Sequence, residues 1–243
     1  MKIGVYGLGR FGSFWAETLA KAGHEVVGYS RSKKAVPKGV TIVSEEEVLS
    51  SPYLVFCVAI SSFESVLRKC APHIPSGTLV MDTCSVKVYP TKWMNEILGE
   101  RVHHIATHPM FGPDSGQNGV VGLPFVMCNL NANADEYNTI KDAMHEMQLK
   151  VLEMTPDAHD REAAWSQGIV HFMGRVLDEL ALQPTELGTK GYKSLMTIVE
   201  QTCNDPKQLF YDLQRYNPYT KQMRLGLKGA LDYEMAELIA HEV

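Results

Sequence analysis

A strand-like run, Lys2–Tyr6, passes into Gly7-Leu8-Gly9-Arg10-Phe11-Gly12, and an amphipathic helix pattern starts at once. No other feature of the chain constrains its fold as much. In a G-x-G-x-x-G turn between strand and helix, Gly7 permits the tight reversal and Gly9 lets the backbone approach a pyrophosphate. Gly12 allows close contact between helix and strand. The helix N-terminus then offers N–H groups and a partial positive charge to phosphate. Gly7, Gly9, Arg10, Phe11 and Gly12 are therefore expected to form a dinucleotide-binding turn.

The following stretch keeps the same rhythm. Strand patterns at Glu25–Tyr29, Thr41–Val43, Tyr53–Ala59, Thr78–Asp82, Val102–Ala106, Phe125–Cys128 and Leu149–Met154 alternate with helical ones at Arg10–Ala22, Phe63–Cys70, Pro90–Leu98 and Asn133–Met147. This β-α-β order predicts an α/β fold: a Rossmann-type, mostly parallel sheet with helices on both faces. Beyond Pro156 no strand pattern recurs, and apolar residues fall three or four apart, as in Ile169-Phe172-Met173-Val176-Leu177-Leu180. Two domains are expected, 1–155 and an all-helical 156–243, packed around a cleft. The helical part, rich in Met and Leu, is small for a freestanding core, which points to a homodimer that shares these helices.

Composition narrows the class. The 243 residues carry 23 Lys+Arg against 28 Asp+Glu, a formal charge of −5 that gives nucleic acid no basic surface. No apolar run approaches the ~20 residues of a membrane span. The start enters a strand directly, without a signal or transit pattern, and the five cysteines are scattered, without Cys-x-x-Cys. A cytoplasmic protein with reduced thiols is expected. No His/Cys/Asp/Glu spacing suggests a metal site, and no G-x-S-x-G elbow suggests a serine hydrolase.

An NAD site would carry an acid at the end of the second strand for the ribose 2′-hydroxyl. Here the window reads Tyr29-Ser30-Arg31-Ser32-Lys33-Lys34. Arg31 can clamp a 2′-phosphate, with Ser30 and Ser32 as hydrogen-bond donors, so the expected cofactor is NADP; Lys33 and Lys34 read as solvated loop charges. Two segments fall after strands, where open α/β sheets hold their ligands: Asp82-Thr83-Cys84-Ser85-Val86-Lys87 and Thr107-His108-Pro109-Met110-Phe111-Gly112-Pro113-Asp114-Ser115-Gly116. A neutral His108 there can take the proton of a substrate alcohol as hydride leaves the same carbon, and a nearby serine can hold the imidazole or the reacting oxygen. Of the other histidines, His24, His73, His145 and His241 read as surface residues. His103 and His104 lie within the sixth strand, with at least one expected to point into packing.

Together Gly7–Gly12, Tyr29-Ser30-Arg31-Ser32, Ser85-Val86-Lys87 and Thr107–Pro113 resemble the arogenate/prephenate dehydrogenases of tyrosine biosynthesis, most closely the plant type. The resemblance continues through Gly122–Val126, Ala158-His159-Asp160-Arg161, Ser166-Gln167 and Thr189-Lys190-Gly191-Tyr192, almost the whole chain. It implies NADP-dependent oxidation of arogenate at its 4-hydroxyl, hydride transfer to nicotinamide, loss of CO2 and aromatisation to tyrosine. It also implies a homodimer with active sites between the domains. His108 would be the base and Ser85 its support, while Gln167, Thr189 and Lys190 would face the substrate. Asp205, at a position where arogenate-selective members carry an acid, would pair with the substrate ammonium and repel the prephenate side chain. Asn204-Asp205-Pro206 also reads as a helix start, with Asp205 as N-cap and Pro206 first in the helix.

The arginine that many bacterial relatives use for the substrate carboxylate is missing from Gly191–Thr197; Lys190, Lys193 or Arg215 would have to replace it. No mutase-like or ligand-sensing extension is visible. Prephenate dehydrogenase is the nearest alternative. A β-hydroxyacid dehydrogenase or imine reductase is disfavoured because His159–Glu179 lacks the lysine of a Lys-x-x-Asn pair. A non-catalytic NADP sensor would have no use for Ser85 and His108 together.

Overall fold

The computed structural model describes residues 1–32 and 34–241, so the reading of Lys33 lies outside the described residues. The chain divides into two compact units, Met1–His159 and the remainder from Asp160.

The first unit holds one eight-stranded sheet. Its strands are β1 (Lys2–Tyr6), β2 (Glu25–Tyr29), β3 (Val40–Ile42), β4 (Tyr53–Phe56), β5 (Leu79–Asp82), β6 (His103–Pro109), β7 (Pro124–Asn129) and β8 (Lys150–Glu153), in spatial order β3-β2-β1-β4-β5-β6-β7-β8. Every pairing is parallel except β6 with β7. The order reverses between β1 and β4, which makes the carboxyl ends of these strands the ligand-binding crevice of such a sheet. Helices α1 (Arg10–Lys21), α2 (Glu45–Leu49), α3 (Ile60–Cys70), α4 (Val88–Leu98) and α5 (Ala134–Glu146) connect the strands. On one face Ile3, Val5, Leu79, Met81, Ile105 and Met127 from four strands pack with Trp15 and Leu19 of α1 and Ile140 and Met144 of α5.

Three sequence expectations need correction. Helix α2 falls in a stretch without an assigned element; it is short, but Ser44 caps it by accepting from Glu47 N at 3.2 Å. The sixth strand does not stop at Ala106. Its antiparallel partner β7 carries it through His108, paired with Val126, to Pro109, paired with Phe125. His108 is therefore a strand residue and not a loop residue. Finally, His24 is half-buried, its Nε2 has no hydrogen-bond partner, and burial holds its pKa below the usual imidazole value. His104 is buried and bonded to Asn95 Oδ1 at 2.9 Å, in line with the expectation for the sixth strand.

Helix α6 (Pro156–Ala163) spans the division between the units and runs into a π-helical turn, Ala164–Gly168, and then α7 (Ile169–Glu179). Helices α8 (Lys190–Cys203), α9 (Lys207–Tyr216) and α10 (Thr220–Ala240) complete the second unit, which has no strand among its described residues. Gly174 of α7 lets that helix close on α8, since a Cβ there would lie 2.0 Å from Thr202 Oγ1. Much of what is buried here is polar: Asp160, Thr202, Asp212, Gln214, Asn217 and Thr220.

Candidate active site

The glycine turn has the shape that its sequence implies. Gly7 adopts φ +107°, and a Cβ on it would meet the Cys57 carbonyl at 2.4 Å. A Cβ on Gly12 would lie 1.9 Å from the Gly7 carbonyl, so α1 can approach β1 only with glycine at that position. At Gly9, the N-cap of α1, a Cβ would meet nothing within 4 Å, and no side chain caps the helix. The first N–H groups of α1 thus open onto space of the kind a pyrophosphate fills. Burial pushes the thiol of Cys57, beneath this turn, up to about 12, so it stays uncharged. A dinucleotide fits these residues.

Arg10 and Phe11 both make side-chain contacts within the first unit. Arg10 Nη2 pairs with Asp114 Oδ1 at 2.6 Å, which ties the glycine turn to the loop after β6. Phe11 stacks on Trp15 with ring centroids 6.4 Å apart. Just past β2, Ser30 is half-buried and Arg31 and Ser32 are exposed. Arg31 makes no ion pair or hydrogen bond among the described residues, so its guanidinium is available to an anion.

A buried ion pair organises the segment around His108. Asp82 and Lys87 have no exposed side-chain surface, and Lys87 Nζ lies 2.5 Å from Asp82 Oδ2 and 2.6 Å from the Thr107 carbonyl. The Asp82 carboxylate also accepts from Cys84 N at 2.9 Å and Thr107 N at 3.0 Å, while the Thr107 hydroxyl donates to the Asp82 carbonyl. One carboxylate therefore fixes the end of β5, the Ser85 loop and the backbone next to His108. Ser85 is half-buried, and its hydroxyl has no hydrogen-bond partner among the described residues. His108, 2% exposed, instead places Nδ1 2.9 Å from Nε2 of His159, equally buried on α6.

The remaining expected residues lie in the second unit. Gln167 sits in the π-helical turn with Oε1 buried and unpartnered. Such turns occur often at functional sites, and a buried orphan acceptor there is suited to a ligand donor. The turn is braced from behind: Gln214 Nε2 donates to the Gly168 carbonyl at 2.8 Å, and Arg224 Nη1 donates to Gln214 Oε1 at 2.7 Å. Thr189 caps α8 by accepting from Tyr192 N at 3.2 Å, and Lys190, the first residue of α8, is exposed. Asp205 is not the N-cap of α9; Pro206 occupies that position, because α9 starts at Lys207. The Asp205 carbonyl accepts from Arg175 Nη2 at 2.7 Å. His171, four residues beyond Gln167 on the same helical run, was not singled out by sequence. Burial, with Arg175 nearby, lowers its pKa to about 4, so it is neutral near pH 7.

These features define the nucleotide-binding domain of a nicotinamide-dependent dehydrogenase. Residues 15–153 match the family model described as prephenate dehydrogenase, nucleotide-binding domain, and residues 176–243 match TYRAAT1-like, C-terminal domain. The chain is 36% identical over 230 residues to arogenate dehydrogenase 1, chloroplastic, and 34% identical over 250 residues to arogenate dehydrogenase 2, chloroplastic, both from Arabidopsis thaliana. These matches cover 90% and 98% of this chain but only 36% and 70% of the relatives' lengths. The fold is similar to that of prephenate dehydrogenase from A. aeolicus, solved with hydroxyphenyl propionate and NAD+, at a TM-score of 0.78 and 18% identity, with 99% of this chain and 91% of that one covered. The chain belongs to the prephenate/arogenate dehydrogenase family.

Proposed function

We infer that this chain is an NADP-dependent arogenate dehydrogenase. The observation that carries the reading is the buried His108, held at a strand end of a dinucleotide-binding sheet by hydrogen bonds to its neighbours on three sides of the chain: Asp82 to Thr107 N, β7 to β6, and His159 to the ring. A bound nicotinamide supplies the hydride acceptor. His108 takes the 4-hydroxyl proton as the hydride departs, and the resulting ring ketone favours loss of the ring carboxylate as CO2, which leaves an aromatic ring. Ser85, whose hydroxyl is uncommitted, supports the imidazole or the reacting oxygen once substrate is present. Gly7, Gly9, Arg10, Phe11 and Gly12 hold the pyrophosphate side of the cofactor, and Ser30, Arg31 and Ser32 its 2′-phosphate.

Substrate recognition is assigned to Gln167, Thr189 and Lys190, and discrimination to Asp205. A carboxylate facing the ammonium of arogenate gains a charge-assisted hydrogen bond of roughly 1.5–3 kcal/mol. Against the keto side chain of prephenate the same carboxylate stays unpaired. Two copies of the chain form the working unit, and the five free cysteines suit a reducing cytoplasm. Turnover of arogenate and of prephenate, each with NADP and with NAD and followed by reduced-nicotinamide absorbance, tests the whole reading. Activity concentrated in arogenate with NADP is the expected result. Preference for prephenate removes Asp205 as the selector, and no turnover in any combination, despite tight NADP binding, overturns the assignment.

A further inference from the structure

We propose that His159 is a positioning residue for His108: it accepts the Nδ1–H of His108 and thereby reserves the other ring nitrogen, Nε2, for the substrate proton. The proposal rests on the reading of His108 as the base. Both rings are 2% exposed; His108 Nδ1 and His159 Nε2 are 2.9 Å apart, and the ring centroids are 5.1 Å apart at an interplanar angle of 67°. Two facing imidazole nitrogens at this separation share one proton.

That proton has two places. If His159 Nε2 carries it and donates to His108 Nδ1, the proton of neutral His108 sits on its own Nε2, which then cannot accept another. If His108 Nδ1 carries it, His159 Nε2 is the acceptor, His159 holds its own proton on Nδ1, and His108 Nε2 has a lone pair. Only the second arrangement gives a base. As His108 takes up the substrate proton, its Nδ1–H becomes a charge-assisted donor and the bond to His159 strengthens when it is needed. A neutral acceptor also orients the ring without placing a carboxylate next to a substrate that is itself carboxylated.

Both partners stand on fixed backbone. His108 is paired with Val126 across β6 and β7, and the preceding Thr107 N is bound by Asp82. His159 lies in the first turns of α6, its N–H bonded to the Thr155 carbonyl at 3.0 Å, while the Thr155 hydroxyl accepts from Ala158 N at 3.2 Å. Ala158-His159-Asp160-Arg161 is among the motifs that carry the family resemblance, but the resemblance as read above assigns His159 no role.

The test uses H159L, which has no acceptor, and H159Q, whose amide oxygen can stand where Nε2 stands, each also made in an H108A background. In 15N-histidine-labelled protein, His108 should show a protonated Nδ1 and an unprotonated Nε2 in wild type and H159Q, and a shifted tautomer balance in H159L. H159L should lower kcat by about 30–100-fold with the KM for arogenate within about threefold, H159Q should stay within about fivefold of wild type, and H159L should add less than about twofold to H108A. Wild-type kcat in H159L, an equal loss in the H108A background, or a wild-type His108 protonated at Nε2 would each overturn the proposal. A protonated Nδ1 in a wild-type protein that turns over neither substrate would overturn the functional reading and leave the pairing supported.

Discussion

Arg31 stands two residues beyond β2, exposed and without a protein partner among the described residues, so its substitution isolates the proposed recognition of a 2′-phosphate. Arg31→Ala should weaken NADP binding by about 10–100-fold, the equivalent of roughly 1.5–3 kcal/mol for hydrogen bonds to a charged group, and leave NAD binding almost unchanged. Titration calorimetry with both cofactors checks this, and equal losses for the two would refute it. His24, His104 and His171 are kept below the ordinary imidazole pKa chiefly by burial. Each is neutral in the fold, whereas the unfolded chain binds protons at these sites once the pH falls below about 6.5. Their contribution to stability is complete above that pH and lost as pH falls toward 4, where His171 itself titrates. Urea unfolding between pH 7 and 4.5 should show a shallower loss for His171→Gln than for wild type; an identical slope would contradict it. At this scale the steric demand for glycine at positions 7 and 12 is legible, because the strand–turn–helix motif marks it. The His108–His159 pair was not, since the partners are 51 positions apart and no periodicity connects them.

Between β5 and β6 the Asp82–Lys87 pair is the element-level hinge of the site. Removing one member of a fully buried pair leaves the other charged and unmatched. Lys87→Met should destabilise the protein by about 3–5 kcal/mol in urea unfolding, and a loss below about 1 kcal/mol would show that the pair is not holding these strands. The alternation of strand and helix patterns marks all eight strands and four of the five helices of the first unit. Short α2 escaped because five residues carry too little periodicity, and only its Ser44 cap marks it. In sequence the sixth strand stops short at Ala106, because Pro109 and the glycines after it read as turn residues. The pairing with β7 that extends it comes from a segment about twenty residues away. The π-helical turn under Gln167 has no sequence signature either; it is sustained by Gln214 and Arg224 from α9 and α10.

On the scale of the whole molecule, α10 leaves Leu225, Leu231, Tyr233, Met235, Leu238 and Ile239 more than half exposed in a single chain. The proposed dimer would cover this apolar surface. Sedimentation equilibrium at micromolar concentration should return twice the 27.1 kDa chain mass, and a monomer would contradict the shared-helix account. The end of the strand patterns before Pro156 is legible in the sequence, whereas the exposed face of α10 shows only once the helices have packed. His108 is the centre of the proposed chemistry, and His108→Ala tests it most directly. Turnover of arogenate with NADP should fall by about 100–10,000-fold while the dissociation constant for NADP stays within about twofold. Turnover close to wild type would contradict the assignment of His108 as the base.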